Sequence, residues 1–216
     1  MKSYSLLILF VWFVVSCTPS EEQNLTVGER IAKAHGFDSF SDVTELKYTF
    51  NVQRDTLLFG RSWQWEPQSG DIVYSRDEER IEFNQFSDMD DEMKRIDHRF
   101  INDKYWLLFP FQLVWDTDVS YIQEENKPAP ISGEVSHHVI VSYSANGGYT
   151  PGDVYELFCD DDWIIREWIF RRGGEAEPSI ICTWEGYQEM NGMMIATDHR
   201  NQDGSFRLFF TGLEVK

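Results

Sequence analysis

The sequence predicts a mainly β domain: a curved antiparallel sheet or incomplete barrel, with an N-terminal helix and a helical insertion packed on it. Three observations carry this reading. Apolar and polar residues alternate over 45–52 and again over 57–65, the period-two mark of half-buried strands. The last third is a series of short apolar runs divided by "NGGYTPGD", "DDD", "GGEAEP", "NG" and "DG", all turn-forming chemistry. Between those blocks the period lengthens to that of a helix, with Met89, Met93, Ile96 and Phe100 on one stripe.

In chain order, "LTVGERIAKAHG" carries a capping box from Thr26 to Glu29, apolar Val27, Ile31 and Ala34, and Gly36 as a stop, which predicts a helix over about 26–35. "ELKYTFNV" then puts Leu46, Tyr48, Phe50 and Val52 on one strand face. "TLLFGRSWQWEP" does the same with Leu57, Phe59, Trp63 and Trp65, and sets Arg61 among them. Gly60 inside that run predicts a bend or bulge. "PQSG" turns the chain into "DIVYS", and "RIEFNQF" fits a further strand.

The helical stripe beginning at Ser87 has Asp88, Asp90, Asp91 and Glu92 at its start and Lys94, Arg95, His98 and Arg99 later, an order that suits the helix dipole and accounts for the acidic cluster without a metal. "YWLLFPFQLVW" is dense in apolar groups but holds Pro110, so it is expected to be buried and irregular or part-helical. "SYIQEENKPAPISG" reads as looser chain. Strands are expected near 135–143, 154–159, 163–171, 179–188, 193–199 and 205–215, forming an antiparallel meander. In that meander the 163–171 strand separates Cys159 from Cys182 by two strand spacings, roughly 9.6 Å. A disulfide needs closer approach. Cys182, sharing a face with Ile180 and Trp184, is expected to be a buried free thiol.

The 216 residues fit one domain, and an apolar fraction of 42% with 8 Trp, 9 Tyr and 16 Phe is ample for a core. With 37 acidic against 19 basic residues the formal charge is -18, which opposes phosphate backbones. No run of Lys and Arg with interleaved aromatics offsets it, so nucleic acid is excluded as a partner.

The N-terminus gives an address. Lys2 is followed by ten apolar residues, Leu6 to Val15, about 15 Å as a helix and half the roughly 30 Å of a bilayer core. That length suits a cleaved export signal better than a span. Val14-Val15-Ser16-Cys17 resembles the lipobox of a bacterial lipoprotein precursor, with Val15 in place of the commoner small residue. The resemblance implies a diacylglycerol on the Cys17 thiol, cleavage before Cys17 and a further acyl chain, such as palmitate, on the new amino group, so that the membrane is held through that residue. Thr18, where an aspartate is associated with inner-membrane retention, favours outer-membrane placement, on the periplasmic side or the cell surface. The expected organisation is a signal peptide over 1–16, a lipidated tether over 17–25 and a single β-rich domain over 26–216.

Chemistry has a weaker signature. His137 and His138 are adjacent on a predicted strand and so point to opposite faces, which prevents joint chelation. Asp160 to Asp162 lack the glycine and closing glutamate of a calcium loop and read as a turn. Neither a nucleophile elbow, a phosphate-binding loop nor a zinc helix is present, so no catalytic residue, metal or cofactor is assigned. The aromatic groups are expected mainly in the core, with some available to wall a cavity. Arg61 stands out, because an inward-facing arginine needs a ring face, a carboxylate or a ligand.

The segments "RSWQWEPQSGDIVY", "NDKYWLLFPFQLVW" and "VYELFCDDDWIIREWIF", within residues 44–215, resemble the lipoprotein-localisation-factor superfamily of LolA and LolB type and Bacteroidota lipoproteins. That resemblance implies an incomplete barrel closed by helices around an apolar cavity that binds acyl chains or another apolar ligand. Arg61 would then stand where a ligand-gating arginine does, with Trp63 and Trp65 beside it as candidate ligand contacts. The functional expectation is a lipid-anchored, non-enzymatic envelope protein with an apolar cavity. Two alternatives stay open: an accessory lipoprotein acting through protein contacts, and a hydrolase or metal enzyme using His137 or Asp160.

Overall fold

The computed structural model describes residues 24–145 and 149–216. The expected signal peptide over 1–16 and Cys17 lie outside the described residues. The first helix, α1 (Val27–Ala34), starts as its capping box requires: Thr26 Oγ1 accepts from the Glu29 N–H at 3.2 Å, and Glu29 accepts from the Thr26 N–H at 2.7 Å. It stops at Gly36, whose φ of +81° brings it against the backbone of Gly192, where a Cβ would meet the Gly192 carbonyl oxygen.

Four strands follow in a meander, β1 (Leu46–Arg54), β2 (Leu57–Glu66), β3 (Asp71–Arg76) and β4 (Glu79–Asn84). Gly60 makes no bulge. It pairs in unbroken register with Asn51, and a Cβ there would come within 2.8 Å of Asn51 Oδ1, so the glycine makes room for a neighbouring side chain. The Asn51 amide spends its donors on the Thr49 and Phe209 carbonyls and on Thr211 Oγ1, tying β1 to the strand that pairs with it on its other side.

The helical insertion, α2 (Asp91–Trp115), is longer and more regular than expected. Asp90 caps it, accepting from the N–H groups of Glu92 and Met93. It runs on through Pro110, with the strain confined to Leu108 at φ -124° and ψ 28°. Proline leaves the Trp106 carbonyl without a helical donor. Tertiary packing carries the helix past this point, since residues Leu107 to Leu113 are all buried.

The second sheet is a five-stranded meander of β5 (Val119–Pro128), β6 (Val135–Tyr143), β7 (Val154–Cys159), β8 (Ile165–Arg171) and β9 (Ile180–Thr183). The segment expected to be loose is strand β5. It lies at the sheet edge, mostly exposed, with a register shift between Glu124 and Lys127 and Pro128 at its end, devices that discourage further strand pairing and erase the alternation by which a strand is recognised. Cys159 and Cys182 sit on strands separated by β8, and both are free, buried thiols. Burial pushes both well above the ordinary thiol range.

The last third is not one meander. After a small hairpin of β10 (Gln188–Met190) and β11 (Met193–Ile195), turning on Asn191-Gly192 with both φ positive, the chain crosses over. Strands β12 (Asp198–Arg200) and β13 (Phe206–Val215) join the first sheet, giving the order β12-β13-β1-β2-β3-β4. The two sheets meet where β9 passes β12. Glu185 bridges to Asp198, His199 Nδ1 lies 3.2 Å from the Thr183 carbonyl, and the Arg200 N–H reaches Thr183 Oγ1 at 3.1 Å.

The result is an open curved wall of antiparallel strands, not a closed barrel, with α2 lying along its inner face. Phe100 packs between Trp63 and Trp65 on the first sheet, at 5.3 and 5.5 Å between ring centroids. Phe109 packs on Tyr155 and Trp168 of the second, at 4.6 and 5.2 Å. Among the described residues no helix is long and apolar enough to cross a membrane.

Two buried histidines tie this core together. His35 caps α1 through the Ile31 carbonyl at 2.8 Å and meets Tyr187, while His199 is ringed by Trp106, Trp184 and Phe210 at the seam. Burial lowers both from 6.5 to about 4, opposed by their carbonyl partners. Between those values the unfolded chain takes up protons that the folded chain refuses, so stability present at pH 7 is lost as pH falls through this window. The unfolding free energy of the parent, from urea titrations, should therefore drop more steeply from pH 6.5 to 4.5 than that of His199→Gln, by up to about one proton, ~1.4 kcal/mol per pH unit. Parallel curves would show that His199 protonates within the fold.

Candidate functional site

Alternation along the strands determines what faces the inside of the wall. On β1 the inner face is Tyr48, Phe50, Val52 and Arg54, and on β2 it is Phe59, Arg61, Trp63 and Trp65. α2 covers these stripes unevenly. Trp63 and Trp65, at 2% and 5% exposure, lie beneath Phe100. Phe59 and Arg61, nearer the hairpin tip, remain partly open.

Where the helix leaves the inner face uncovered, a cleft of about 770 Å³ opens between the two sheets. Phe50, Val52 and Phe59 form its wall on the first sheet; Tyr155, Trp168 and Phe170 form the opposite wall. Its floor is α2, through Ile101, Tyr105 and Trp106, and Phe206 and Leu208 of β13 join the two walls. The rim is polar and exposed, with Arg54, His98, Asn102 and Arg172. Trp63 and Trp65 are not among the lining residues, and Arg61 is.

Arg61 is held from within. Its Nε and Nη2 each reach a different oxygen of Asp103 at 2.6 Å, a two-pronged pairing, and its guanidinium carbon lies 5.1 and 5.2 Å from the Phe50 and Phe59 ring centroids. Asp103 is fully buried on α2. It also accepts from Trp63 Nε1 at 2.7 Å and Asn102 Nδ2 at 3.0 Å. Burial raises this carboxyl above the usual carboxylate range, and the Arg61 guanidinium and the other donors oppose the shift. The arginine conspicuous in the sequence thus has both a ring face and a carboxylate as partners, and Trp63 joins the same cluster from behind the cleft wall.

The other sequence candidates lie elsewhere. His137 stacks on Trp163 at 4.3 Å and pairs with Glu125, while His138, on the other face of β6, lies between Glu124 at 3.1 Å and Glu156 at 3.0 Å. Asp160 organises a turn, accepting from the N–H groups of Asp162 and Ile164 and from Arg166. Among the described residues no group of His, Cys, Asp and Glu is placed to hold a metal ion.

Several site residues escaped sequence reasoning. Asp103 carried a usable signal, since it falls on the Ile96, Phe100, Leu107 stripe and an acid on an apolar helix face requires a partner. Arg54 and Arg172, at strand ends beside turns, carried none.

No protein-family model matches the sequence, and no curated protein matches it significantly. The fold is shared with a DUF1329 family protein from Desulfovibrio piger, at TM-score 0.50 and 8% identity over 88% of this chain and 92% of that one. A LolA superfamily protein from Nitrosomonas europaea aligns at TM-score 0.49 and 7% identity, covering 89% of this chain and 94% of its own.

The Asp103 cluster gives a stability prediction. Asp103→Ala strands a buried guanidinium and the Trp63 N–H, and should cost about 3–5 kcal/mol in denaturant unfolding. Asp103→Asn, which keeps a carbonyl acceptor, should cost less. A loss below about 1 kcal/mol for alanine would mean that water satisfies Arg61 equally well.

Proposed function

We propose that this chain is a lipid-anchored, non-enzymatic protein of the bacterial cell envelope that holds an acyl chain or another apolar ligand in the cleft between its sheets. The cleft itself carries the proposal. A concavity of this size, open at its rim and walled by aromatic and aliphatic side chains, is the usual form of a small-molecule site. It lies where α2 leaves the curved wall uncovered; Phe50, Tyr155, Trp168 and Leu208 are already buried there, while Val52, Phe59, Phe170 and Phe206 keep apolar surface that a ligand would cover. The sequence resemblance to LolA and LolB type proteins points the same way, as does the lipobox at Val14 to Cys17.

In this reading Arg61 acts on the ligand as part of the wall, its charge spent on Asp103 and its planar face turned into the aromatic stripe. Trp63 and Trp65 act through it, holding Asp103 and the base of β2 in place. The tether after Cys17 keeps the domain at the outer membrane, the source of its ligand.

The chain without signal peptide and anchor, residues 18–216, should bind an uncharged naphthylamine fluorophore with one-to-one stoichiometry. Val52→Trp, which fills the cleft from a half-buried position on β1, should weaken that binding about tenfold or more, ~1.4 kcal/mol, with the circular dichroism spectrum unchanged. Saturable binding that ignores Val52→Trp would place the ligand elsewhere, and no binding at all would retire the reading. The anchor is tested separately. The full-length chain should incorporate labelled palmitate and fractionate with outer membrane, and Cys17→Ala should abolish both.

A further inference from the structure

The rim of the cleft runs against the charge of the rest of the molecule. The chain as a whole carries -18, and among the described residues seven of its twelve arginines, Arg61, Arg76 and Arg207 among them, lie within ion-pair distance of a carboxylate. Of the other five, Arg54 and Arg172 are the two that line the cleft. Both line the cleft, both are exposed, and among the described residues neither lies within ion-pair distance of a carboxylate. They come from opposite walls: Arg54 ends β1 of the first sheet, its guanidinium carbon 5.6 Å from the Phe206 ring centroid, and Arg172 follows β8 of the second.

The lining contains one carboxylate, Asp153. It is buried, and its Oδ1 accepts from the Gly173 N–H at 2.7 Å, so it is committed to the turn beneath Arg172. His98 adds a further exposed polar group from α2.

Resting on the acyl-binding reading above, we infer that the cleft selects a single-chain amphiphile with an anionic head. Its hydrocarbon would lie between the Phe50 and Phe170 walls, and its carboxylate or phosphate would be gripped at the rim by Arg54 and Arg172. A guanidinium presents a planar fork of donors that matches either head, and forms with it a charge-assisted bond that a neutral alcohol or glyceride cannot match. Two such forks on opposite walls give the head a fixed position at the mouth while the chain supplies the burial. The overall negative charge makes this local exception selective, because an anion is repelled from the remaining surface.

The test measures calorimetric binding of oleate, oleyl alcohol, 1-oleoyl lysophosphatidate and acetate to residues 18–216, to the R54Q/R172Q variant and to the R54K/R172K variant. Oleate and lysophosphatidate should bind about tenfold or more tighter than oleyl alcohol, a preference that shrinks in high salt. R54Q/R172Q should lose that preference while holding oleyl alcohol as before, and R54K/R172K should keep part of it. The tighter of the two anions identifies the head as carboxylate or phosphate. Equal binding of oleate and oleyl alcohol, or oleate affinity unmoved in R54Q/R172Q, overturns the headgroup inference and leaves acyl binding standing. Failure of every oleoyl ligand overturns the acyl-binding reading itself. Acetate bound as tightly as oleate would make the rim a small-anion site and overturn the inference as well.

Discussion

An open antiparallel wall of this curvature would leave its inner face in water unless something lay along it, and α2 is what lies there. The rest of the architecture follows from that contact. Phe100 binds the helix to the first sheet and Phe109 to the second, so one helix joins two sheets that share only a short seam of hydrogen bonds between β9 and β12. The burial is also what keeps α2 helical through Pro110, where local preference alone would end it. The uncovered remainder of the inner face is the cleft.

Polar groups taken into this interior are handled by pairing. Asp103, on the buried face of α2, is acceptable because Arg61, Trp63 and Asn102 all donate to it. The same pairing removes Arg61 as a free charge, which separates the two roles an arginine can play beside a cavity. Arg61 stiffens the wall, whereas Arg54 and Arg172 stay available at the rim. His35 and His199 follow the other course open to a buried titratable group and remain neutral.

Much of the fold was legible because its elements carry local signals. The capping box of α1, the alternation of β1 and β2, and the Asn191-Gly192 turn are each written in adjacent residues, and each stands where it was expected. The failures share one cause. β5 is an exposed edge strand on which Val119 and Tyr121 pack on the core but Ile122 beside them faces outward and residues 123–127 are all polar, so no sustained alternation marks it. Gly60 reads as a bulge because a missing side chain does not say which neighbour occupies the space. The crossover of β12 and β13 to the first sheet is a long-range pairing, and a strand run with turns on both sides looks the same whichever partner it takes.

The site divides in the same way. Sequence alone determined that the chain is β-rich with helical additions, that Cys159 and Cys182 are too far apart to bridge, and that an inward Arg61 needs a partner. Each of these depends on spacing along one strand or between adjacent ones. Only the tertiary structure decided that the partner is Asp103, that Trp63 and Trp65 lie beneath α2 while Trp106 and Trp168 face the cleft, and that Arg54 and Arg172 line the same cleft from different sheets. Those facts depend on where a helix stops covering a sheet, and that is set by packing between residues far apart in the chain.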